Sequence, residues 1–145
     1  MTLPDRFGKA MSGALVSGGV TVTVQSPMEA AINVAYEARL VCIVESCEQR
    51  SVSLRGIYNI TGKVTVLQSI DVDDPEGDFR LLCTTVRDLM GGETTTPASI
   101  TSQDPSIHIY NRSWHLDDLG IDAGDRGFKA EYSWRAVVRD TISTN

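Results

Sequence analysis

The chemistry this chain could support rests on two acidic runs, two histidines, three cysteines and one serine-containing turn. The first run, Asp71 to Asp78 (DVDDPEGD), has the carboxylate density of a calcium loop. Its spacing fails that test, because Pro75 stands where an EF-hand needs a ligand and Glu76 where it needs glycine. Carboxylates crowded before an apolar-periodic stretch instead complement the free N–H groups and dipole of a helix start. The second run, Asp117, Asp118, Asp122 and Asp125, could line a loose cation site, and a solvated surface hairpin explains it equally well.

His108 and His115 have no carboxylate or second cysteine at zinc-ligand spacing. Cys42 and Cys47 fall on opposite parities of one strand, so they face opposite ways unless a bulge intervenes. Cys83 lies on the apolar stripe of a helix and reads as a buried, inert thiol. A Cys83–His108 or Cys83–His115 pair stays open as an alternative, since such pairs need only spatial adjacency. GALVSGG lacks the Gly-x-Ser-x-Gly elbow, and no Walker or Rossmann glycine pattern occurs. Trp114 and Trp134 read as sheet packing. The expectation is a chain without a catalytic, cofactor or metal site, and not an enzyme.

The elements that would carry these groups are legible in the periodicity. Thr2 can cap a first helix with Pro4 early and Asp5 near the capping-box position, and Phe7, Ala10, Met11, Ala14 and Leu15 form its stripe. Val20 to Val24 alternates as a short strand, and a second short helix is expected from Ser26 toward Ala38. Leu40 to Val44 is continuously apolar, as a strand covered on both faces would be. Val52, Leu54, Tyr58, Ile60, Val64, Val66, Ile70 and Val72 share one parity, which predicts a strand of roughly 60 Å that overhangs the domain.

Phe79, Leu82, Cys83, Val86, Leu89 and Met90 then recur at helical spacing, and Gly91-Gly92 stops them. GETTTPASITSQ, from Gly92 to about residue 104, reads as a long connection that is either mobile or ordered by a partner. Ile107 to Leu116 reads as a strand and LDDLGIDAGDRG as an acidic turn or hairpin loop. Phe128, Ala130, Tyr132, Trp134, Ala136 and Val138 alternate with Lys129, Glu131, Ser133, Arg135 and Arg139 in an unambiguous last strand.

At 145 residues, 41% hydrophobic and 22% charged, the chain fits one soluble globular domain over residues 1–145. The start, MTLPDRFGKAMSG, has neither a basic n-region nor an apolar h-region, and no stretch is apolar enough to span a membrane. A net charge of −6 argues against non-specific nucleic-acid binding. The sign is uneven: acidic groups gather at 71–78 and 117–125, basic ones at Lys129, Arg135 and Arg139. Such asymmetry is either a solvated surface or a self-complementary contact between subunits.

The series of amphipathic first helix, LVCIVES, GIYNITGKVTV, DVDDPEGD and FRLLCTTVRDLMGG resembles the tail terminator proteins of long-tailed bacteriophages and related minor tail and head–tail joining proteins. The resemblance covers roughly residues 3–139. The short helix after Ser26 and the GETTTPASITSQ connection depart from that pattern and could indicate a different ring component.

The resemblance implies an α/β (α+β) protomer, a mixed, mostly antiparallel sheet packed by two or three helices. Such protomers form a hexameric ring that ends the tail tube and joins it to the head connector or stopper protein. That role implies a place in the virion neck, assembly in the host cytoplasm, and DNA passing through without specific binding. Asp73, Asp74, Glu76 and Asp78 on one side, and Lys129, Arg135 and Arg139 on the other, are the candidate subunit-interface residues. A small protein-binding module that captures a partner with the 92–103 connection, or another neck or tail-completion protein, is the alternative.

Overall fold

The structure, a computed structural model, describes residues 2–25, 38–51, 55–124 and 127–142. It is an α+β fold in which three helices cover one face of a mixed, curled six-stranded sheet. The expected helix after Ser26 falls on residues 26–37, and Val52 and Leu54 on 52–54, outside the described residues.

Helix α1 runs Leu3–Ser17 and starts in the reciprocal capping box that Thr2 and Asp5 promised: Thr2 Oγ1 accepts from the Asp5 N–H at 3.3 Å, and Asp5 accepts in return from Thr2 N–H. The Thr2 hydroxyl, donating to Asp5 Oδ2 at 2.8 Å, and then the Thr2 N–H hold the Asp5 carboxyl below its usual range. Strand β1 is Thr23–Gln25, β2 Ala38–Gln49, β3 Ile57–Ser69, and helix α2 Pro75–Met90. Helix α3 is Thr95–Gln103, followed by β4 Ile107–Ile109, β5 His115–Gly124 and β6 Gly127–Asp140. The sheet order is β1-β2-β3-β6-β4, with β5 also pairing β6. Among the described strands only β1–β2 pair in parallel.

Several sequence expectations give way here. The long strand ends at Ser69, where Ser69 Oγ accepts from Asp71 N–H and turns the chain, so Ile70 is exposed instead of continuing the ladder. Its 13 residues span roughly 43 Å. All of them are in register with β6, and most with β2, so no residue of β3 from Ile57 to Ser69 overhangs. The supposed mobile connection holds α3, whose Ile100 and Thr96 are buried. Thr96 Oγ1 donates to Leu89 O at 2.8 Å and accepts from Gly92 N–H at 3.1 Å, tying α3 to the end of α2. The expected 107–116 strand is broken by a turn with Arg112 at φ 63°, and the acidic turn beyond it is itself strand β5.

The inner face of the sheet meets α1 and α2 in one core. At its centre the Trp134 ring is stacked between Phe7, at 5.1 Å, and Trp114, at 5.7 Å. Trp114 Nε1 donates to Met90 O at 2.6 Å, fixing the end of α2 over the sheet. Trp134 faces Gly62 across β3–β6. Alpha1 is also pinned to the last strand: the Arg6 guanidinium donates to Asp140 Oδ2, whose side chain is fully buried, and to Ser106 Oγ at 2.9 Å.

Beta2 carries a bulge between Val44 and Ser46. Before it Cys42 faces the core opposite Val64; after it Cys47, opposite Ile60, faces the same way. The opposite-parity expectation for this pair is thus reversed, because one extra residue shifts every later side chain to the other face. The partners Val64 and Ile60 are four residues apart, about 13 Å, which is too far for the two sulfurs to share an ion.

Burial raises the Cys42 thiol from about 9 to about 11. A thiol kept protonated by the fold stabilises it below the unfolded thiol's pKa, and that stability is lost as pH rises from about 9 to about 11. Urea unfolding at pH 8 and pH 10.5 is expected to show a fall in stability of about 2 kcal/mol from this thiol. Cys42→Ala is expected to flatten that fall.

Candidate functional site

Beta6 builds the candidate surface by strict alternation. Ala130, Tyr132, Trp134, Ala136 and Val138 are buried, so Lys129, Glu131, Ser133, Arg135 and Arg139 must project from the helix-free face. Register then decides their neighbours. His108 lies opposite Arg139, and His115 opposite Arg135. The backbone of the β2–β3 connection arrives at the same end: Arg50 N–H bonds Ile57 O, and Gly56 O accepts from Asp140 N–H. Arg112 sits in the turn beside it, where Tyr110 N–H bonds Val137 O.

One end of the sheet therefore gathers Arg50, Arg55, Arg112, Arg135 and Arg139, all exposed, with two exposed histidines. These five arginines are a large share of the 13 Lys and Arg in an otherwise acidic chain. Among the described residues Arg135 and Arg139 enter no ion pair. The basic pole was only half legible in sequence: Arg135 and Arg139 stood out on β6, whereas Arg50, Arg55, Arg112, His108 and His115 join them only through pairing across the sheet.

The acidic candidates occupy the other end. Asp73, Asp74, Glu76 and Asp78 are exposed and follow directly on Ser69, which is in register with Gly127. From that level to Ile57–Arg139 is twelve residues of strand, roughly 40 Å. Asp74 has a structural task, its Oδ1 accepting from Gly77 N–H at 3.1 Å as the α2 cap. Glu76 bridges Arg80 one turn on. Among the described residues Asp73 and Asp78 make no side-chain hydrogen bond or ion pair, and both are exposed.

Lys129 does not belong with the two arginines. It lies at the acidic end and is bridged to Glu131 at 2.8 Å, and that pairing holds the Glu131 carboxyl below its usual range. Lys63 also reaches Glu131, at 3.7 Å, and Glu45 at 3.8 Å. The three basic candidates of β6 are thus one internally satisfied lysine and two outward arginines.

The groups suspected of chemistry are dispersed. Cys83 packs on the inner side of α2, whereas His108 and His115 leave the outer face, so the sheet separates thiol from imidazole. Burial also pushes the Cys83 thiol up, opposite to what a nucleophile needs. Asp117, Asp118 and Asp122 are strung along β5, with Asp118 facing Arg87 at 3.5 Å, and Asp125 is outside the described residues. No group of three or more His, Cys, Asp or Glu suited to a metal ion occurs among the described residues. A cavity of about 690 Å³ lies between α1, β1 and the end of α3. Its inner cation, Arg6, is already engaged by Asp140, Ser106 and, at 3.9 Å, Asp104. No helix among the described residues is long and apolar enough to cross a membrane.

Compared with protein-family models and with curated proteins, the chain matches none.

Proposed function

We propose that the chain is a structural assembly protein, the protomer of a closed ring at the top of a bacteriophage tail. The ring, hexameric by the resemblance, would end the tail tube and join it to the head connector or stopper protein. The observation that carries this reading is the separation of charge: an arginine-rich pole at one end of the sheet and an acidic pole roughly 40 Å away at the other. A ring closes through heterologous contacts, which need two different complementary surfaces on each protomer. Asp73 and Asp78 of one copy against Arg135 and Arg139 of the next would supply such a contact and fix its direction. The net charge of −6 suits a channel through which DNA slides without being held. The virion neck, reached from the host cytoplasm, is the place this role implies, without membrane, metal or cofactor.

The 92–103 connection on which the binding-module alternative would call holds helix α3, Thr95–Gln103. The ring reading needs no such segment.

Charge reversal tests the contact. Arg135→Glu with Arg139→Glu is expected to abolish assembly while changing stability by no more than about 0.5 kcal/mol, as for exposed sites. Adding Asp73→Lys and Asp78→Lys to the same chain is expected to restore assembly, because both sides of the contact are then inverted. Sedimentation of the variants checks both outcomes. Undiminished assembly of the doubly reversed protein removes these arginines from the interface.

A further inference from the structure

We propose that the outer edge of β5 is a docking site for an extended, lysine- or arginine-bearing segment of a partner protein, which adds to the sheet as a further strand. Beta5 is ten residues long, and among the described residues it is hydrogen-bonded only to β6. Its other edge presents a row of backbone donors and acceptors, the template on which a further strand pairs. All of its residues except Leu116 are exposed. Leu119 is 52% and Ile121 64% exposed, although an unpaired edge is where apolar side chains are usually avoided. They border a shallow groove of about 240 Å³ with Lys129 and Glu131.

The chemistry of the occupant follows from the pairing. Asp117 and Asp122 stand opposite Ser133 and Lys129 on the outer face, and Ile121 stands opposite Ala130 on the inner one. Lys129 is already bridged to Glu131. A segment with cationic side chains on its outer face and apolar ones on its inner face meets both requirements. A second β5 does not: the strand carries Asp117, Asp118 and Asp122 and no lysine or arginine, so two copies side by side would bring like charges together, which is destabilising. The bulge between Asp118 and Gly120, with Gly120 at φ 104°, twists the edge and further disfavours pairing with a copy of itself. The site uses neither the arginines of the basic pole nor the 71–78 carboxylates of the acidic one, and it does not rest on ring formation.

The test uses a fluorescent decapeptide alternating lysine and valine, titrated into the folded protein and followed by anisotropy. Saturable binding is expected. A peptide of the same charge with two central valines replaced by proline is expected to bind at least about tenfold more weakly, since proline removes ladder donors. The Leu119→Lys, Ile121→Lys protein is expected to lose at least about tenfold in affinity for the alternating peptide, as inward charges blunt an edge. Equal binding of the proline peptide would reduce the contact to charge alone and overturn the proposal. So would equal binding by the variant, absence of binding, or self-association that the variant abolishes, which would make a second copy the occupant.

Discussion

Gly62→Ala is expected to destabilise the fold by about 3 kcal/mol, the upper end of overpacking costs. The added Cβ would lie 2.0 Å from Ile43 O and 2.4 Å from the Trp134 ring. Neither neighbour can give way easily. Ile43 O belongs to the β2 backbone just before the bulge, and Trp134 is held by Phe7 on one side and Trp114 on the other. Relief would require unstacking the central rings or parting β2 from β3. Thermal unfolding should therefore begin roughly 10 °C lower for a chain of this size. Gly8→Ala is the control, since its Cβ would meet only Val44 Cγ2 at 3.8 Å. An unchanged melting temperature for Gly62→Ala would show that the Trp134 stack is not the fixed centre of the core.

Asp140→Ala is the second large effect. The Asp140 side chain is fully buried and that of Arg6 only 12% exposed, so removing the carboxylate strands a cation with little access to water. Breaking such a pair costs about 3–5 kcal/mol. Asp104, 3.9 Å from Arg6, offers a partial substitute and puts the expected loss near the lower figure, about 3 kcal/mol. Asp140 also accepts from Ile142 N–H at 3.2 Å, so residues 141 and 142 just beyond β6 should loosen as well. Replacing Arg6 by Met in the same chain is expected to recover much of the loss, because the pair's absence is cheaper than its half. Denaturant unfolding of the single and double variants checks this; a double variant no better than the single one contradicts it.

What sequence made legible follows from how local each signal is. The Thr2–Asp5 capping box, the apolar stripe of α2 and the alternation of β6 depend on residues a few positions apart, and the structure reproduces all three. Helix α3 was hidden because TTPASITSQ is rich in Thr and Ser, poor helix formers. Only Thr96 and Ile100 are buried, so tertiary contacts with the end of α2 and with α1 hold it helical. Beta5 was hidden because a strand exposed on both faces has no alternation to betray it. The Cys42–Cys47 parity failed at a bulge that no residue type announces. The basic pole needed the register of β4, β5 and the β2–β3 connection against β6, which is long-range information that spacing along the chain does not contain.

Whether opposed charge poles join copies into a ring is decided by the molar mass of the purified protein. Light scattering after size exclusion, with negative-stain images of the same peak and a repeat in the presence of isolated tail tubes, gives the answer. A mass of about six protomers and ring-shaped particles, in solution or on the tube end, is expected, with the rings falling apart as salt screens the charged contacts. A monomer at every concentration that also leaves tail tubes bare contradicts the ring.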